Sequence, residues 1–438
     1  MTRHAAIDLG ASSGRVVVGD VSRDHVELRE VHRFGNGPVQ HDDGLHWDVS
    51  GLHREAVKGL ALAGAVDSIG IDSWAVDYGL IDAHGGLLNE PFCYRDARTD
   101  HVRLGLSREE LFARNGLQHL PFTTIYQLAA DQALEKAASL LLVPDLITYW
   151  LTGATGCEIT NASTTGLLDA TTQSWSPELL AACGVTEAQL GSLVHPGTLR
   201  GSFEGTPVVA VGSHDTASAF VGSPLSGRGA VCISLGTWGL VGVELDAPVL
   251  TEAALAANFT NELGVDGRVR FLRNVMGLWV LQQSLAAWGR ADLPDLLVQA
   301  AALPAAPLID VDDPALLPPG DMPARVAALA GRSLSPPELV RCVVDSLVGA
   351  LARTVDEALS LTGRQAEVVH VVGGGSQNAL LCQSLAGVLG LPVLAGPVEA
   401  TALGNILVQA RVAGTVEGSL EDLRELVRRT ARIVRYDP

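Results

Sequence analysis

The sequence is sparing with cysteine and charge, and it lacks the most recognisable catalytic signatures. Its six cysteines, Cys93, Cys157, Cys183, Cys232, Cys342 and Cys382, are widely spaced and include no CxxC pair. That argues against a disulfide framework and for buried thiols in a reducing, cytoplasmic compartment. Charged residues make up only 18% against 47% hydrophobic ones, which excludes a disordered chain. The 30 basic residues are outnumbered by 49 acidic ones, and no Lys/Arg cluster exceeds a few residues. A nucleic-acid partner is therefore not expected. An anionic ligand is still allowed, because backbone amides at a loop or helix start hold phosphate locally. No GxxxxGK[ST], HExxH or GxSxG segment occurs, so Walker-type ATPases, zincin proteases and α/β-hydrolases lose support. The start, MTRHAAIDLG, has no long apolar run before Asp8, and a secretory leader is not expected. The uncharged stretch from Ser376 to Val398 contains Ser, Gln, Asn and two prolines. It reads as buried α/β structure rather than a membrane span.

What is present is a chain of 438 residues, enough for two or three domains. Its 47 glycines exceed the ordinary share of about 7% and point to tight turns and close backbone approaches. Ala5–Asp8, a small-residue turn at Gly10–Gly14 and the β-branched run Val16–Val18 read as strand, turn and strand. A Rossmann strand–GxGxxG–helix does not fit. The pattern returns later: Ala230–Ser234, a turn at Gly236 and Leu240–Val243. IDLGASSGRVVV set beside ISLGTWGLVGV suggests an internal duplication. The glycine-rich stretch after Val221 marks a boundary, giving domains 1–224 and 225–438. Capping boxes at Ser107/Glu110 and Ser335/Glu338 start helices. Helices are also expected at Ile125–Lys136 and Val275–Trp288, and irregular structure at Pro304–Pro337. Strands alternating with helices mean α/β, with ligands beyond the C-terminal ends of the strands.

Polar clusters at Asp8, Asp72, His214, Thr237 and Gly373 each follow an apolar run, which suggests one composite site. Ser12, Ser13 and the amides near Gly10 and Gly14 can cradle phosphate oxygens. Asp8 would repel phosphate unless Mg²⁺ intervened; otherwise it caps a turn. Arg15 either neutralises a phosphoryl group or is an ordinary hairpin charge. Asp215, after VVAVGSH, can accept a proton from a substrate hydroxyl, or cap a helix. His214 can do the same, or simply pack. Thr237 offers a hydroxyl to phosphate, or belongs to a polar turn. Gly373–Gly375, between strand and helix, permit close approach of a nucleotide. Asp72, Asp77, Tyr94, Arg95, Asp96 and Arg98 suit a polyhydroxylated ligand. Asn274 and Gln282, about two helical turns apart, can face one cleft.

At these residues the chain resembles the FGGY carbohydrate kinases of the actin–hexokinase-like superfamily, and within them most closely the rhamnulokinase subfamily. The segments that carry the likeness include IDLGASSGR (7–15), GIDSWAVDYGLID (70–82), YRDARTD (94–100), ITNASTTGLLD (159–169) and VGSHDTASAF (211–220). SLGTW (234–238), RNVMGLWVLQQ (273–283), VVGGGSQNALLCQ (371–383) and AGPVEATALGNILVQA (395–410) continue it. The resemblance implies a two-domain actin/hexokinase-like (ribonuclease H-like) fold with an interdomain cleft, and ATP- and Mg²⁺-dependent phosphorylation of L-rhamnulose at O1. It implies Asp215 as catalytic base and Asp8 as the metal position. Ala11, Ser12, Ser13, Gly14, Arg15, Thr237, Gln282 and Gly374 are implied for ATP. Ala75, His214, Asp215, Thr216 and Asn274 are implied for the sugar. Ala75 stands where such kinases often carry glycine, which narrows the pocket by a methyl group. Other FGGY substrates (L-fuculose, a xylulose-like ketose, glycerol), an actin-like nucleotide switch and a non-catalytic sugar-binding regulator are the alternatives. The expected partners are a ketose and ATP, with no nucleic acid or membrane, in a monomer or small homo-oligomer.

Overall fold

In the computed structural model, residues 1–289 and 292–438 are described. The chain forms two compact units. The first comprises Met1–Pro224, Glu244–Phe271 and Ala400–Thr430; the second comprises Leu225–Val243, Leu272–Glu399 and Ala431–Pro438. The units are thus discontinuous in sequence, whereas the sequence reading expects two continuous halves. One reason lies in the Ala400–Val412 helix. A Cβ on Gly404 would sit 1.8 Å from the Ser218 carbonyl oxygen, and one on Gly222 would sit 2.0 Å from that of Ala400. Only glycine lets this helix and the Asp215–Val221 helix pack backbone to backbone.

The sheet of the first unit contains β1 (Thr2–Leu9), β2 (Ser13–Val21), β3 (Val26–Gly35), β4 (Ser68–Ser73), β5 (Leu199–Phe203) and β6 (Thr206–Val209). Their spatial order is β5-β6-β4-β1-β2-β3. β1 runs antiparallel to β2 and parallel to β4, and β6 is parallel to β4. Ala5, Ala6, Ile7 and Leu9 are fully buried, as a central strand covered on both faces requires.

A second sheet, most of it in the second unit, repeats the arrangement with β7 (Ala230–Leu235), β8 (Trp238–Leu245), β9 (Val269–Met276), β10 (Val368–Val372), β11 (Val393–Ala395) and β12 (Val434–Tyr436). Their order is β9-β8-β7-β10-β11-β12, and a seventh strand, Thr260–Leu263, lies outside β9. β7 is antiparallel to β8 and parallel to β10, as β1 is to β2 and β4. The duplication read from the two hairpins is borne out in strand order and direction. The outer strands differ in chain order, since β5 precedes β6 whereas β12 follows β11.

Three expectations change. The helix expected over Val275–Trp288 is β9 to Met276 followed by a helix at Trp279–Ala287. Gly277 makes the break: a Cβ there would lie 2.5 Å from the carbonyl carbon of Trp238. Asn274 and Gln282 therefore do not share one helix. The helix expected over Ile125–Lys136 is split into Thr124–Ala130 and a 3-10 turn at Leu134–Lys136. Asp131 is extended there, and its carboxylate accepts from the Ala133 amide (2.9 Å) and the Tyr78 hydroxyl (2.8 Å). The stretch expected to be irregular holds a helix, Met322–Leu329, capped by the Asp321 side chain. Both capping boxes form, at Ser107/Glu110 and Ser335/Glu338. All six cysteines are buried and unpaired in disulfides. Among the described residues no helix is long and apolar enough to cross a membrane.

Candidate functional site

Asp8 and Asp72 are the penultimate residues of the parallel strands β1 and β4, and the chain leaving β6 reaches Asp215 after a short segment. Asp8 pairs across the sheet with Arg15 on β2 and with Asp72 on β4. The Arg15 guanidinium donates twice to one oxygen, Asp8 Oδ2, at 2.8 and 2.7 Å. Asp72 is fully buried; its Oδ2 accepts from Asn405 Nδ2 (2.5 Å) and its Oδ1 has no hydrogen-bond partner. Burial, then the neighbouring Asp8 charge, pushes the Asp72 carboxyl well above the usual carboxylate range. A buried relay supports it from behind. The Ser68 hydroxyl donates to Gln409 Oε1 (2.6 Å), and Gln409 Nε2 donates to Asn405 Oδ1 (2.6 Å) and to the Ala5 carbonyl (3.1 Å).

Asp215 opens the Asp215–Val221 helix, and its side chain is 31% exposed. Burial raises its carboxyl pKa, the adjacent His214 lowers it, and Asp8 raises it again. Thr216 Oγ1 donates to Asp215 Oδ1 at 3.0 Å. The segment before it is held by Glu158, a carboxylate 1% exposed. Glu158 accepts from the amide (3.0 Å) and hydroxyl (2.7 Å) of Ser213, and from Thr160 and Asn161. His214 is also held internally: its Nδ1 lies 3.2 Å from both Arg270 Nη2 and Glu262 Oε2.

The Ser73 amide donates to the Ser213 carbonyl (2.9 Å), which sets Ala75 two residues beyond the strand that bridges to His214. Val76 adopts φ 68°, a strained conformation for a β-branched residue. Its carbonyl is fixed by the Thr124 hydroxyl at 2.6 Å. Asp77, read as ligand-facing, is instead 1% exposed and fully engaged inside. Its Oδ2 accepts from the Trp47 indole (2.6 Å), the Trp74 indole (3.0 Å) and the Tyr94 amide (3.2 Å), and its Oδ1 from Gln127 (2.8 Å). Burial pushes the Asp77 carboxyl up to about 6. Asp96 and Arg98 are likewise turned to structure: Asp96 accepts from Leu45 and Arg98 amides, and the Arg98 guanidinium lies 3.8 Å above the Phe92 ring.

The turn Ala11–Gly14 closes with the Gly10 amide on the Ser13 carbonyl (2.9 Å). Asn36, which sequence reasoning missed, secures it by donating to the Gly10 carbonyl at 2.8 Å. Ser12 is exposed, and Ala11 and Ser13 are half-buried.

Thr237, Asn274, Gln282 and Gly374 belong to the second unit. Thr237 Oγ1 makes a long hydrogen bond to Gln282 Oε1 (3.5 Å). The Leu278 amide donates to the Gly236 carbonyl (2.8 Å), so Gly277 and Leu278 clasp the β7–β8 turn. Of the three adjacent glycines, two serve packing. Gly373 has φ 81°, and a Cβ on Gly375 would lie 2.4 Å from the Leu235 side chain. Gly374 is exposed with nothing within 4 Å of a Cβ, so its backbone is open to a ligand. Gly277, Glu158, Asn36 and Gln409 left no local signal, because each acts on residues remote in sequence.

Comparison with known proteins adds the following. Residues 4–222 match the FGGY family of carbohydrate kinases, N-terminal domain, and residues 231–413 match its C-terminal domain. The chain is 42% identical over 464 residues to a rhamnulokinase of Klebsiella pneumoniae (strain 342), covering 100% of this chain and 95% of that one. It is 43% identical over 459 residues to a rhamnulokinase of Pectobacterium carotovorum subsp. carotovorum (strain PC1), covering 99% and 92%. Among solved structures, the ligand-bound xylulose kinase of Lactobacillus acidophilus superposes with a TM-score of 0.81 at 16% identity, covering 100% and 94%. The ADP-bound glycerol kinase of Plasmodium falciparum does so with 0.77 at 14% identity, covering 100% and 94%. These structures share the two-domain α/β, actin/hexokinase-like fold.

Proposed function

The chain belongs to the FGGY family of carbohydrate kinases, and on that premise we propose that it transfers the γ-phosphoryl group of ATP to the 1-hydroxyl of L-rhamnulose. The sugar assignment is supported by two curated relatives named rhamnulokinase at 42–43% identity over almost the whole chain. The observation that carries the chemistry is Asp215: a partly exposed carboxylate at the C-terminal edge of the sheet, with a pKa raised by burial. A base nearer neutrality takes up a hydroxyl proton more readily.

In the proposed reaction Asp215 accepts the O1 proton as the new O–P bond forms and the bond to ADP breaks. Thr216 orients the carboxylate through its hydroxyl, and Glu158 fixes the segment that carries both. His214 and Thr216, with Ala75 and Asn274, are assigned to the sugar. Residues 11–15 are assigned to the phosphates through their amides and the Arg15 charge, with Thr237, Gln282 and Gly374 on the nucleotide. The Asp8 and Asp72 carboxylates are hard oxygen donors, and the unpartnered buried Oδ1 of Asp72 is an acceptor awaiting a donor or cation. They fit Mg²⁺, with Asp8 as the position that would hold it. When bound, Mg²⁺ neutralises phosphate charge.

The test is ATP- and Mg²⁺-dependent phosphorylation across L-rhamnulose, L-fuculose, D- and L-xylulose, D- and L-ribulose and glycerol, with product identification. The highest kcat/KM for L-rhamnulose, with phosphate on O1, is the expected result. Preference for another sugar would overturn the substrate and leave the reaction class. ATP binding without transfer to any sugar would favour a nucleotide switch or a silent regulator.

A further inference from the structure

Outside the kinase site, Pro38–His41 and Gly44–Trp47 form a two-stranded hairpin with a two-residue turn at Asp42–Asp43. Val39 lies opposite His46, and His41 is two residues from Val39, so both histidines stand on one face of the hairpin. Asp43 reaches the same face from the turn. The side-chain ligand atoms of His41, Asp43 and His46 all lie within 4.8 Å of one another.

The hydrogen bonds of His46 make this more than a chance cluster. The ring is buried, and Nδ1 lies 2.7 Å from the Glu90 carbonyl oxygen. A carbonyl only accepts, so Nδ1 carries the proton. In the neutral ring Nε2 is then a bare lone pair. It lies 3.0 Å from Asp43 Oδ1, which is also an acceptor. Two acceptors at that distance need either a shared proton or a metal ion between them. A metal-bound histidine characteristically donates its other ring N–H to a carbonyl or carboxylate, the role Glu90 fills here. The His41 ring is stacked on His46 with centroids 4.6 Å apart, so a second imidazole is at hand, and its ring must turn out of the stack to point a nitrogen at a shared ion.

We propose that His41, Asp43 and His46 form a divalent-metal site of the zinc class at the tip of this hairpin. Two imidazoles and one carboxylate select an ion of intermediate softness such as Zn²⁺, with water as fourth ligand, over Mg²⁺. Tetrahedral Zn²⁺ with bonds of about 2.0–2.1 Å needs its ligand atoms about 3.3 Å apart. His46 is fixed by Glu90 and by the Phe92 ring, 4.0 Å away between centroids. His41 and Asp43 are exposed, Asp43 already meets His46, and only the His41 ring has to turn.

The experiment strips the full chain with a chelator and titrates Zn²⁺ against a chromophoric indicator. Co²⁺ replaces Zn²⁺ in a parallel titration read by its visible absorption. The expected result is one Zn²⁺ taken up at this site and a tetrahedral Co²⁺ band. Both affinities should fall by about 10-fold or more in His41→Ala and in Asp43→Ala. Both residues are exposed, so neither change threatens folding, and thermal unfolding of each variant verifies that. A wild-type chain that competes for no Zn²⁺, or either variant binding as the wild type does, would overturn the site. The His46–Asp43 contact would then be a proton-bridged pair only.

Discussion

The β1–β2 and β7–β8 hairpins occupy the same place among the six strands that match between the two sheets, yet they carry opposite chemistry. In the first, Asp8 faces Arg15 on one side and Asp72 on the other. In the second, the matching position is Ser234, facing Leu240 and Val372. The same pleat holds three ionisable side chains in one unit and none in the other. What the second hairpin has instead is backbone proximity: Gly277 against its turn, Gly373 and Gly375 against Leu235, and Gly374 open. Under the proposed function, one copy of the duplicated device places ionisable groups beside the proton and phosphoryl transfer. The other, under the same proposal, leaves room and backbone polar groups to the nucleotide.

The largest expected effect tests the charged side. Asp215→Ala should lower kcat by about 100-fold or more, about 2.7 kcal/mol of transition-state stabilisation. Its side chain is partly exposed and lies at a helix start, so thermal unfolding should change little. Near-normal turnover would remove Asp215 as base and collapse the contrast between the units.

A second test asks whether buried charge in the first unit is felt as pH dependence. The Asp77 carboxyl is pushed up to about 6 by burial. The unfolded chain ionises it near 4, so this group makes stability fall as pH rises from about 4 to 6, by roughly 3 kcal/mol in total. His4 works against it. Burial pushes its pKa down to about 4, so the unfolded chain gains a proton first and stability falls as pH drops from about 6.5 to 4. Burial also raises the Asp72, Asp145, Glu158 and Asp215 carboxyls, so the Asp77 share is read as a difference between variant and wild type. Asp77→Asn should make the stability of the variant relative to the wild type grow by roughly 3 kcal/mol from about pH 4 to 6, measured by denaturant unfolding at several pH values. A difference that does not change with pH would mean that Asp77 does not set that slope.

These residues also show how far the sequence could be read. Both hairpins were legible because β-branched runs and small-residue turns are local signals, and Ser107 and Ser335 marked helix starts for the same reason. Asp8, Asp72 and Asp215 were legible as polar residues following apolar strands. Asp77 was misread because nothing local shows that Trp47 and Gln127, 30 and 50 residues away, donate to it. The return of Ala400–Val412 to the first unit depends on Gly404 meeting Ser218, a contact between distant segments. Gly277 hid inside an apolar pattern that reads as helix.

The open side gives the third test. Gly277→Ala places a methyl 2.5 Å from the Trp238 carbonyl carbon, so the β7–β8 turn must shift. The expected outcome is a rise of about 10-fold in KM for ATP, roughly 1.4 kcal/mol, with KM for the sugar unchanged. An equal rise in both would mean that the second hairpin is not specialised for the nucleotide.

The smallest effect gives the finest distinction. Thr237 offers its hydroxyl to Gln282 across 3.5 Å, a long contact between neutral groups, and such bonds contribute about 0.5–1.5 kcal/mol at best. If the second hairpin works by spacing and backbone, removing this hydroxyl in Thr237→Val should raise KM for ATP only about 3-fold, near the lower end of that range. It should leave kcat within about 2-fold, because a group that binds ground state and transition state equally changes KM alone. If kcat instead falls as far as in Asp215→Ala, the hydroxyl meets the phosphoryl group in transfer. The uncharged hairpin would then share the chemistry that the proposal assigns to the charged one.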